Sequence, residues 1–314
     1  MGGLTGDDGR EADRRCTGLL ICPVCGERLE DTGASFVCPR RHTFDRARDG
    51  SVDLLPAGHG RSRLRGDTAE MLRARRRFLD RRHYEPLASA IVDAVRRHIA
   101  ADASGHTPAT TPAPPARPPV VLDSGCGVGY YLGHVMERLE PLTGGGCYFG
   151  LDVSRDALRL AARTYRGALF FRNDVKHRIC LADGCVDALL DMFAPRNAAE
   201  FARVLAPGGL LLVVIPDDRH LAELRAALPL LGIGEDKPER IAELFAADFE
   251  PSGRDTLEYH RELDPESVAD LLAMTPSAWH LDEGAFERAR ALGNTPVTFH
   301  FSILEFRRAD GSRR

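Results

Sequence analysis

The sequence predicts an α/β fold with a mostly parallel sheet, preceded by a small metal-binding domain. Beyond residue 119, short apolar runs alternate with helical stretches, a pattern typical of a parallel sheet covered on both faces. Before these apolar runs in the sequence, three cysteines and a histidine form two pairs with the spacing of a zinc site. The predicted strands are Val120 to Asp123, Tyr148 to Asp152, Leu169 to Arg172, Val186 to Leu190, Leu210 to Ile215 and Val297 to Phe306.

The metal-binding residues come first along the chain. Cys22 and Cys25 enclose two residues, twelve residues follow, and Cys38 and His42 enclose three more. Three thiolates and one imidazole complete the tetrahedron of a structural zinc site and leave no open coordination position. The alternative is a set of four buried side chains without a metal. We predict that zinc organises this domain and that catalysis takes place elsewhere.

Length and composition favour a small domain followed by a larger one. The chain has 314 residues, of which 43% are hydrophobic, enough for a substantial core. No apolar run approaches the roughly 20 residues that cross a bilayer, and Met1 to Arg15 lacks the apolar segment of a signal peptide. We therefore predict a cytoplasmic protein with no membrane partner. The other cysteines form no second paired motif and are expected to be reduced thiols: Cys16, Cys126, Cys147, Cys180 and Cys185.

Arginines are concentrated after the zinc ligands. The segment from Arg40 to Arg82 holds 13 arginines and 6 acidic residues, a local charge of 13 − 6 = +7 in a chain of net charge −4. The guanidinium fork suits phosphate. A solvated helix face is the alternative interpretation, but beside a zinc knuckle the segment favours an RNA-binding surface.

The remaining patterns divide the chain into parts. We expect a zinc-binding, RNA-recognition domain over 1–60, a helical connection over 61–100, a disordered proline-rich loop over 101–119 and the sheet domain over 120–314. Asp67 is the predicted N-cap of a helix that ends near Asp80. Pro86 fits the first turn of a second helix.

A glycine-rich turn, Ser124 to Gly129, follows the first predicted strand of the sheet domain. Ligands bind at the carboxyl ends of the strands in such sheets, but dinucleotide enzymes use similar loops. Asp123 before the loop and Asp152 at the end of the next strand make the segment resemble the class I methyltransferases that use S-adenosylmethionine. That resemblance implies a Rossmann-like, seven-stranded sheet. It implies these cofactor contacts: Asp123, Gly125, Cys126, Gly127 and Gly129 in or beside the loop, Asp152 on the ribose, and Asn173 and Asp174 at the adenine. For Asp152, capping of the helix at Ser154 is the alternative.

Further motifs indicate which family of class I methyltransferases the chain resembles. They are Cys22-x-x-Cys25, Cys38-x-x-x-His42-Thr43-Phe44-Asp45, Gly66 to Met71, Ala74 to Asp80, His83-Tyr84, Asp123 to Tyr131, Phe193 to Asn197, His220 to Leu224 and Ser277-x-Trp279-His280. Their order resembles the bacterial 23S rRNA (guanine-N1)-methyltransferases, and among these the tylosin-resistance branch. The resemblance implies a guanine in hairpin 35 of 23S rRNA as the substrate, a homodimer, and further cofactor contacts from Tyr84 and His220.

Two residues after the fourth predicted strand are candidates for catalysis. Asp191 is a candidate base for the N1 proton of guanine, and Phe193 is a candidate stacking platform for an unstacked base; a core position is the alternative for Phe193. Three other functions stay open. The chain could be a housekeeping enzyme for a neighbouring guanine, a small-molecule methyltransferase, or a catalytically silent regulator that binds RNA and S-adenosylmethionine.

Overall fold

The computed structural model describes residues 16–56, 67–104, 117–228, 237–275 and 283–310. The strands are β1 Glu30–Asp31, β2 Ser35–Val37, β3 Thr43–Asp45, β4 Val52–Asp53, β5 Val120–Ser124, β6 Cys147–Asp152, β7 Leu169–Arg172, β8 Val186–Met192, β9 Leu205–Pro216, β10 Phe249–Leu263 and β11 Thr295–Arg308. The helices are α1 Ala69–Asp80, α2 Glu85–Ser104, α3 Tyr130–Thr143, α4 Arg155–Thr164, α5 Ala198–Val204, α6 Ala222–Ala227, α7 Pro238–Phe245, α8 Pro265–Ala273 and α9 Glu283–Ala291.

One sheet dominates the fold, with strand order β10-β11-β9-β8-β5-β6-β7-β4. Strands β4 to β9 pair in parallel within it, whereas β11 is antiparallel to both of its neighbours. The expected class I sheet is confirmed, but the strand count of seven is wrong for the sheet as a whole. An eighth strand, β4, comes from the chain just after the zinc ligands and extends the edge at β7.

All six predicted strands are present, with longer bounds for several of them. The alternation of buried residues explains why the sheet is covered on both faces. On β6, Tyr148 contributes to one hydrophobic cluster with α2 and α3, and the next residue, Phe149, contributes to the cluster on the opposite face. Period-two alternation in a strand that is buried on both faces requires helices or other chain segments on each side.

The helical connection follows its predicted pattern with two corrections. Helix α1 ends at Asp80 as expected, but its N-cap is Thr68 rather than Asp67. The Thr68 hydroxyl accepts a hydrogen bond from the Met71 N–H at 3.2 Å, as N-cap side chains do. Asp67 forms an ion pair with Arg75 instead. Helix α2 begins at Glu85, with Pro86 in its first turn, and continues to Ser104, so the expected loop at 101–119 does not begin at 101.

The N-terminal segment packs directly against the sheet domain. The Ile21 N–H donates to the Cys180 carbonyl at 3.0 Å, and the Leu54 N–H donates to the Arg172 carbonyl at 3.0 Å. Phe36 and Leu54 are fully buried in the same hydrophobic cluster as sheet residues such as Phe171. The zinc domain and the sheet domain therefore share one core.

The prediction of reduced thiols is wrong for two cysteines. Cys16 and Cys147 form a disulfide, with their Cα atoms 5.3 Å apart, within the range that the bond requires. The pair is 131 residues apart in sequence, so no local spacing signals it. Cys126, Cys180 and Cys185 are thiols, as expected.

Other expectations fall outside the described residues, namely Met1 to Arg15, the greater part of the proline-rich loop, and Ser277-x-Trp279-His280. Within the described ranges, no helix combines the length and apolarity needed to cross a bilayer.

Candidate cofactor and zinc sites

The four predicted zinc ligands converge. The ligand atoms of Cys22, Cys25, Cys38 and His42 all lie within 4.8 Å of one another. His42 Nδ1 lies 3.5 Å from the Cys22 sulfur and 3.3 Å from the Cys38 sulfur, and the Cys25 and Cys38 sulfurs are 3.6 Å apart. Zn–S bonds of about 2.3 Å and Zn–N bonds of about 2.0 Å give tetrahedron edges of about 3.5 to 3.8 Å. The donor set therefore fits a structural zinc ion.

Local backbone geometry positions these ligands. Gly26 has φ +74°, which closes the first loop after Cys25, and Arg41 has φ +65° in the second loop. The N–H groups of Val24 and His42 donate to the sulfurs of Cys22 and Cys38 at 3.4 and 3.3 Å. Hydrogen bonds of this kind favour the thiolate form that binds metal.

The two sulfurs nearest the domain core differ in acidity. Burial raises the pKa of Cys22 to about 11. Burial also acts to raise the pKa of Cys38, but the His42 N–H and the Cys25 thiol outweigh it and bring that pKa down to about 7.

The arginine segment is more compensated than its sequence indicates. On α1, Arg76 pairs with Asp80 and Arg77 with Asp270; directly after the helix, Arg81 pairs with Asp264 and Arg82 with Glu85. Asp270 lies on α8, and Asp264 is the N-cap residue of that helix. Both are far outside the segment from Arg40 to Arg82 whose charge was counted. These arginines therefore tie α1 to α8 and to the start of α2, and the segment is not a uniform basic face.

The glycine loop joins β5 to α3 in a left-handed conformation. Gly125, Gly127 and Gly129 have φ of +80°, +52° and +77°, which side chains other than glycine rarely adopt. A Cβ at Gly125 would lie 2.5 Å from the Cβ of Ala194, the second residue after β8. Glycine here lets the loop approach the end of β8, where substrate-contacting groups are expected.

Asp152 ends β6 and faces the same loop. Its Oδ2 accepts the Gly127 N–H at 2.9 Å, and its Oδ1 accepts the Ser154 N–H at 2.7 Å. Ser154 is the N-cap of α4 through its own side chain. Asp152 thus supports the turn before α4, which was the alternative for it, and also lies against the glycine loop. Burial raises the pKa of Asp152, and these two backbone hydrogen bonds oppose the rise.

Asp123 is a fully buried acid of the site. It has no solvent exposure, and neither carboxyl oxygen has a hydrogen-bond partner among the described residues. Burial, followed by the charges of Asp152 and Asp191, raises the pKa of Asp123 to about 8. Burying a polar group without a hydrogen-bond partner destabilises the folded protein. The Asp123 carboxyl is therefore suited to accept a hydrogen bond from a ligand.

Asn173 and Asp174 follow β7 directly. The Asn173 side-chain amide donates to the Arg178 carbonyl at 3.3 Å and so braces the turn from within. Asp174 Oδ1 accepts the Lys176 N–H at 3.0 Å. Both side chains lie at the carboxyl end of β7, one strand from Asp152, as predicted.

Three predicted contact residues surround one aromatic ring. The rings of Tyr84, Phe193 and His220 have centroids 5.6, 5.6 and 4.6 Å from that of Phe301 on β11. Burial, followed by the charges of Arg225 and His300, lowers the pKa of His220 to about 3, so its ring is neutral at physiological pH. Tyr84 is almost fully buried, and burial raises its pKa above the usual range. The structure therefore gathers these residues from three distant segments.

Asp191 and Phe193 differ sharply in exposure. Asp191 lies inside β8, whose end is Met192 rather than Leu190, and it has no solvent exposure. Its carboxylate accepts the Ala194 N–H at 3.3 Å and lies 3.4 Å from Arg196 Nε. Phe193 is 42% exposed, with φ +57°, so it is not the core residue that was its alternative.

Two residues of the site were not predicted. Phe301 lies in a strand that was predicted, but its role depends on which rings the fold brings to it. Arg75 of α1 places Nη1 3.2 Å from the position of a Cβ at Gly127. It was counted only as part of the basic segment, and no local pattern connects it to a loop 52 residues later.

Comparisons with known proteins match both the zinc-binding part and the sheet part of the chain. Residues 20–63 match the family model described as "RlmA, N-terminal", a zinc ribbon, and residues 121–209 match the model "Methyltransferase domain". A Streptomyces fradiae protein named 23S rRNA (guanine(748)-N(1))-methyltransferase is 38% identical over 277 residues, which cover 88% of this chain and 91% of that protein.

Two further relatives match over similar spans. A Micromonospora griseorubida protein, provisionally named a 23S rRNA (guanine-N(1)-)-methyltransferase, is 40% identical over 288 residues, 89% of this chain and 93% of its own. A Bacillus subtilis protein with the same provisional name is 30% identical over 299 residues, 91% of this chain and 96% of its own. With a zinc ribbon and an S-adenosylmethionine-dependent domain in one fold, the chain belongs to the 23S rRNA (guanine-N1)-methyltransferase family.

Proposed function

We propose that the protein transfers a methyl group from S-adenosylmethionine to N1 of a guanine in hairpin 35 of 23S rRNA, and thereby confers resistance to tylosin-type macrolides. The family supports guanine N1 as the reacting atom and 23S rRNA as the substrate. The Streptomyces fradiae relative is named for guanine 748, and we propose the equivalent guanine here.

The observation that carries this proposal is the exposed ring of Phe193 beside the cofactor loop. Phe193 is held in a left-handed conformation that costs a bulky residue on the order of 1 to 3 kcal/mol. Its neighbour Ala194 lies against Gly125 of the loop. An aromatic face at that place suits a guanine that has left its stack, because unstacked bases in RNA loops bind to aromatic side chains.

In this proposal, the residues at the strand ends each bind a different part of the cofactor. We assign the ribose to Asp152, the adenine to Asp174 with the turn braced by Asn173, and the amino-acid end to the loop from Gly125 to Gly129 and to Asp123. Tyr84 and His220 complete the pocket through their shared contact with Phe301. When bound, S-adenosylmethionine supplies an electrophilic methyl carbon. Positioning of guanine N1 in line with that carbon is the main contribution of the protein.

Asp191 has a positioning role in this proposal. A base must reach the proton that it removes, and a carboxylate without exposure that contacts Ala194 and Arg196 is already engaged by its own loop. Asp191 therefore holds the turn that presents Phe193. As the N1–methyl bond forms, the electrons of the methyl–sulfur bond remain on sulfur, and the N1 proton leaves to water.

The zinc domain is the proposed RNA-binding part. Arg41 and Arg48 are exposed on it, and guanidinium groups bind phosphate well. We further propose a homodimer in the cytoplasm, as the family resemblance implies. The paired arginines of α1 serve the packing of α8 in this scheme.

The proposal is tested by incubating the full chain with methyl-labelled S-adenosylmethionine and a hairpin-35 transcript. N1-methylguanine blocks base pairing, so primer extension should stop at the modified guanine. A transcript with adenine at that position is the matched control and should take up no label. Expression in a susceptible host should raise tylosin tolerance.

Other outcomes assign the other functions. A stop at a neighbouring guanine without tolerance indicates a housekeeping enzyme. Label in a small metabolite alone indicates a small-molecule methyltransferase, and binding of transcript and cofactor without transfer indicates a regulator.

A further inference from the structure

The glycine loop offers few hydrogen-bond donors to a ligand. The N–H groups of Gly125 and Cys126 both donate to the Leu151 carbonyl at 2.9 Å, and the Gly129 N–H donates to the Cys126 carbonyl at 2.8 Å. The Gly127 N–H donates to Asp152 at 2.9 Å. These four amides are engaged within the protein, unlike those of the glycine loops that cradle phosphate.

The proposed cofactor nevertheless carries an anion at this end. Its amino-acid moiety has an α-ammonium and an α-carboxylate. Loop carbonyls and the buried Asp123 suit the ammonium, because they accept hydrogen bonds. A carboxylate next to the Asp152 carboxylate is stabilised by a nearby cation, since two like charges in a site of low polarity repel each other strongly.

The structure provides a cation beside this loop. Arg75 reaches across from α1, and its Nη1 would lie 3.2 Å from a Cβ at Gly127. A Cβ at Gly127 would crowd the guanidinium, which would have to shift by a few tenths of an ångström, so the glycine leaves room for this contact. Burial raises the pKa of Asp152, and the positive charge of Arg75 is among the influences that oppose that rise, which agrees with its closeness to the site.

The guanidinium is held in place by two contacts within the protein. Nη1 pairs with Asp67 Oδ2 at 2.5 Å, and Nη2 donates to the Met274 carbonyl at 2.9 Å. A guanidinium has five N–H donors, so these contacts fix its plane without exhausting its capacity. The side chain is 27% exposed, consistent with a position at the rim of the pocket.

We propose that Arg75 binds the α-carboxylate of S-adenosylmethionine over Gly127. The inference rests on the proposed placement of the cofactor and adds a residue from the helical connection to it. Arg75 then selects ligands that carry the amino-acid carboxylate. Arg75 also donates to the carbonyl of Met274, the C-cap residue of α8. Cofactor binding and the packing of α1 against α8 therefore both depend on the Arg75 side chain.

Two ligands that differ at the amino-acid end test this role by calorimetry. S-adenosylhomocysteine keeps the carboxylate, whereas 5′-methylthioadenosine keeps the adenosine and sulfur but lacks the amino-acid end. For Arg75→Gln, the affinity for S-adenosylhomocysteine should fall about 10- to 100-fold, the effect of one charge-assisted hydrogen bond. The affinity for 5′-methylthioadenosine should change less than about twofold. Arg73→Gln, on an exposed position of the same helix, should match the wild type with both ligands.

The outcomes separate this inference from the proposed function. Equal loss of both ligands in Arg75→Gln, in protein that is still folded by circular dichroism, would show a structural role and overturn the inference. Unchanged affinity for S-adenosylhomocysteine would overturn it as well, as would a wild type that binds neither ligand. No RNA is present, so failure to methylate hairpin 35 leaves a positive binding result intact.

Discussion

Replacing Asp123 with Asn removes a carboxyl group that the fold buries completely at the end of β5. Burial and the nearby Asp152 and Asp191 raise the pKa of Asp123 from its ordinary value of 3.8 to about 8. A raised pKa in the folded state means that the folded protein binds a proton that the unfolded chain has lost. The resulting stabilisation is complete below pH 3.8 and disappears as the pH rises through about 8.

The magnitude follows from linkage. With these two pKa values, the contribution of Asp123 to the free energy of unfolding falls by about 3 kcal/mol between pH 6 and pH 9. The amide of Asn does not titrate, so the Asp123→Asn variant should lack this part of the decline. Over that range the free energy of unfolding of the variant should rise by about 3 kcal/mol relative to that of the wild type.

Urea unfolding of both proteins, without ligand and at closely spaced pH values from 6 to 9, measures the difference. Asp93→Asn is the matched control, because Asp93 lies on the exposed side of α2, where it pairs with Arg96, and its profile should parallel the wild type. If the Asp123→Asn and wild-type profiles are parallel as well, the conclusion that this carboxyl is buried without a compensating partner is refuted.

Four other changes test separate parts of the molecule. Asp152→Asn should weaken binding of S-adenosylhomocysteine at least about tenfold, by loss of a charged acceptor, and leave binding of a hairpin-35 transcript unchanged; equal losses in both titrations would contradict the separation of the two sites. Phe193→Ala should lower kcat/KM for the transcript about 10- to 100-fold by loss of stacking, whereas Phe193→Tyr keeps the aromatic face and most of the activity; similar rates for the two variants would rule out the stacking role. Cys38→Ala should release zinc, measured by a colorimetric chelator, and abolish transcript binding while part of the cofactor binding persists; full RNA affinity in the metal-free variant would separate the zinc domain from recognition. Cys16→Ser should lower the free energy of unfolding by up to about 5 kcal/mol in the absence of reductant, since the disulfide closes a long loop, and have little effect in its presence; the same difference under both conditions would point to lost packing instead.

The sheet was predictable where the sequence is apolar and not where it is polar. Strands β5 to β9 are buried on both faces and therefore appear as apolar runs. Strand β10 is an edge strand of the sheet and pairs with β11. Most of its residues are exposed, and only Phe249 and Leu263 at its ends are buried. Its pairing partner identifies it as a strand, and that information is not local.

The zinc ligands were predictable from spacing alone, because each pair must turn back within a few residues to reach one ion. The charge of the arginine segment was correct as a count but did not indicate its partners. Asp264 and Asp270, which neutralise Arg81 and Arg77, are almost 200 residues away in sequence. The contacts of Phe301 and Arg75 belong to the same class, since both depend on segments that meet only after folding.

The shared core of the zinc domain and the sheet has a consequence for how new target specificity could be engineered. Phe36 and Leu54 would face water if the two parts were separated, and the edge of the sheet at β7 would lose its neighbour β4. Joining the zinc domain of one relative to the sheet domain of another should therefore succeed only when the contacts between the two domains are redesigned as well. In this architecture the domain that we propose to bind RNA also forms part of the core of the catalytic domain.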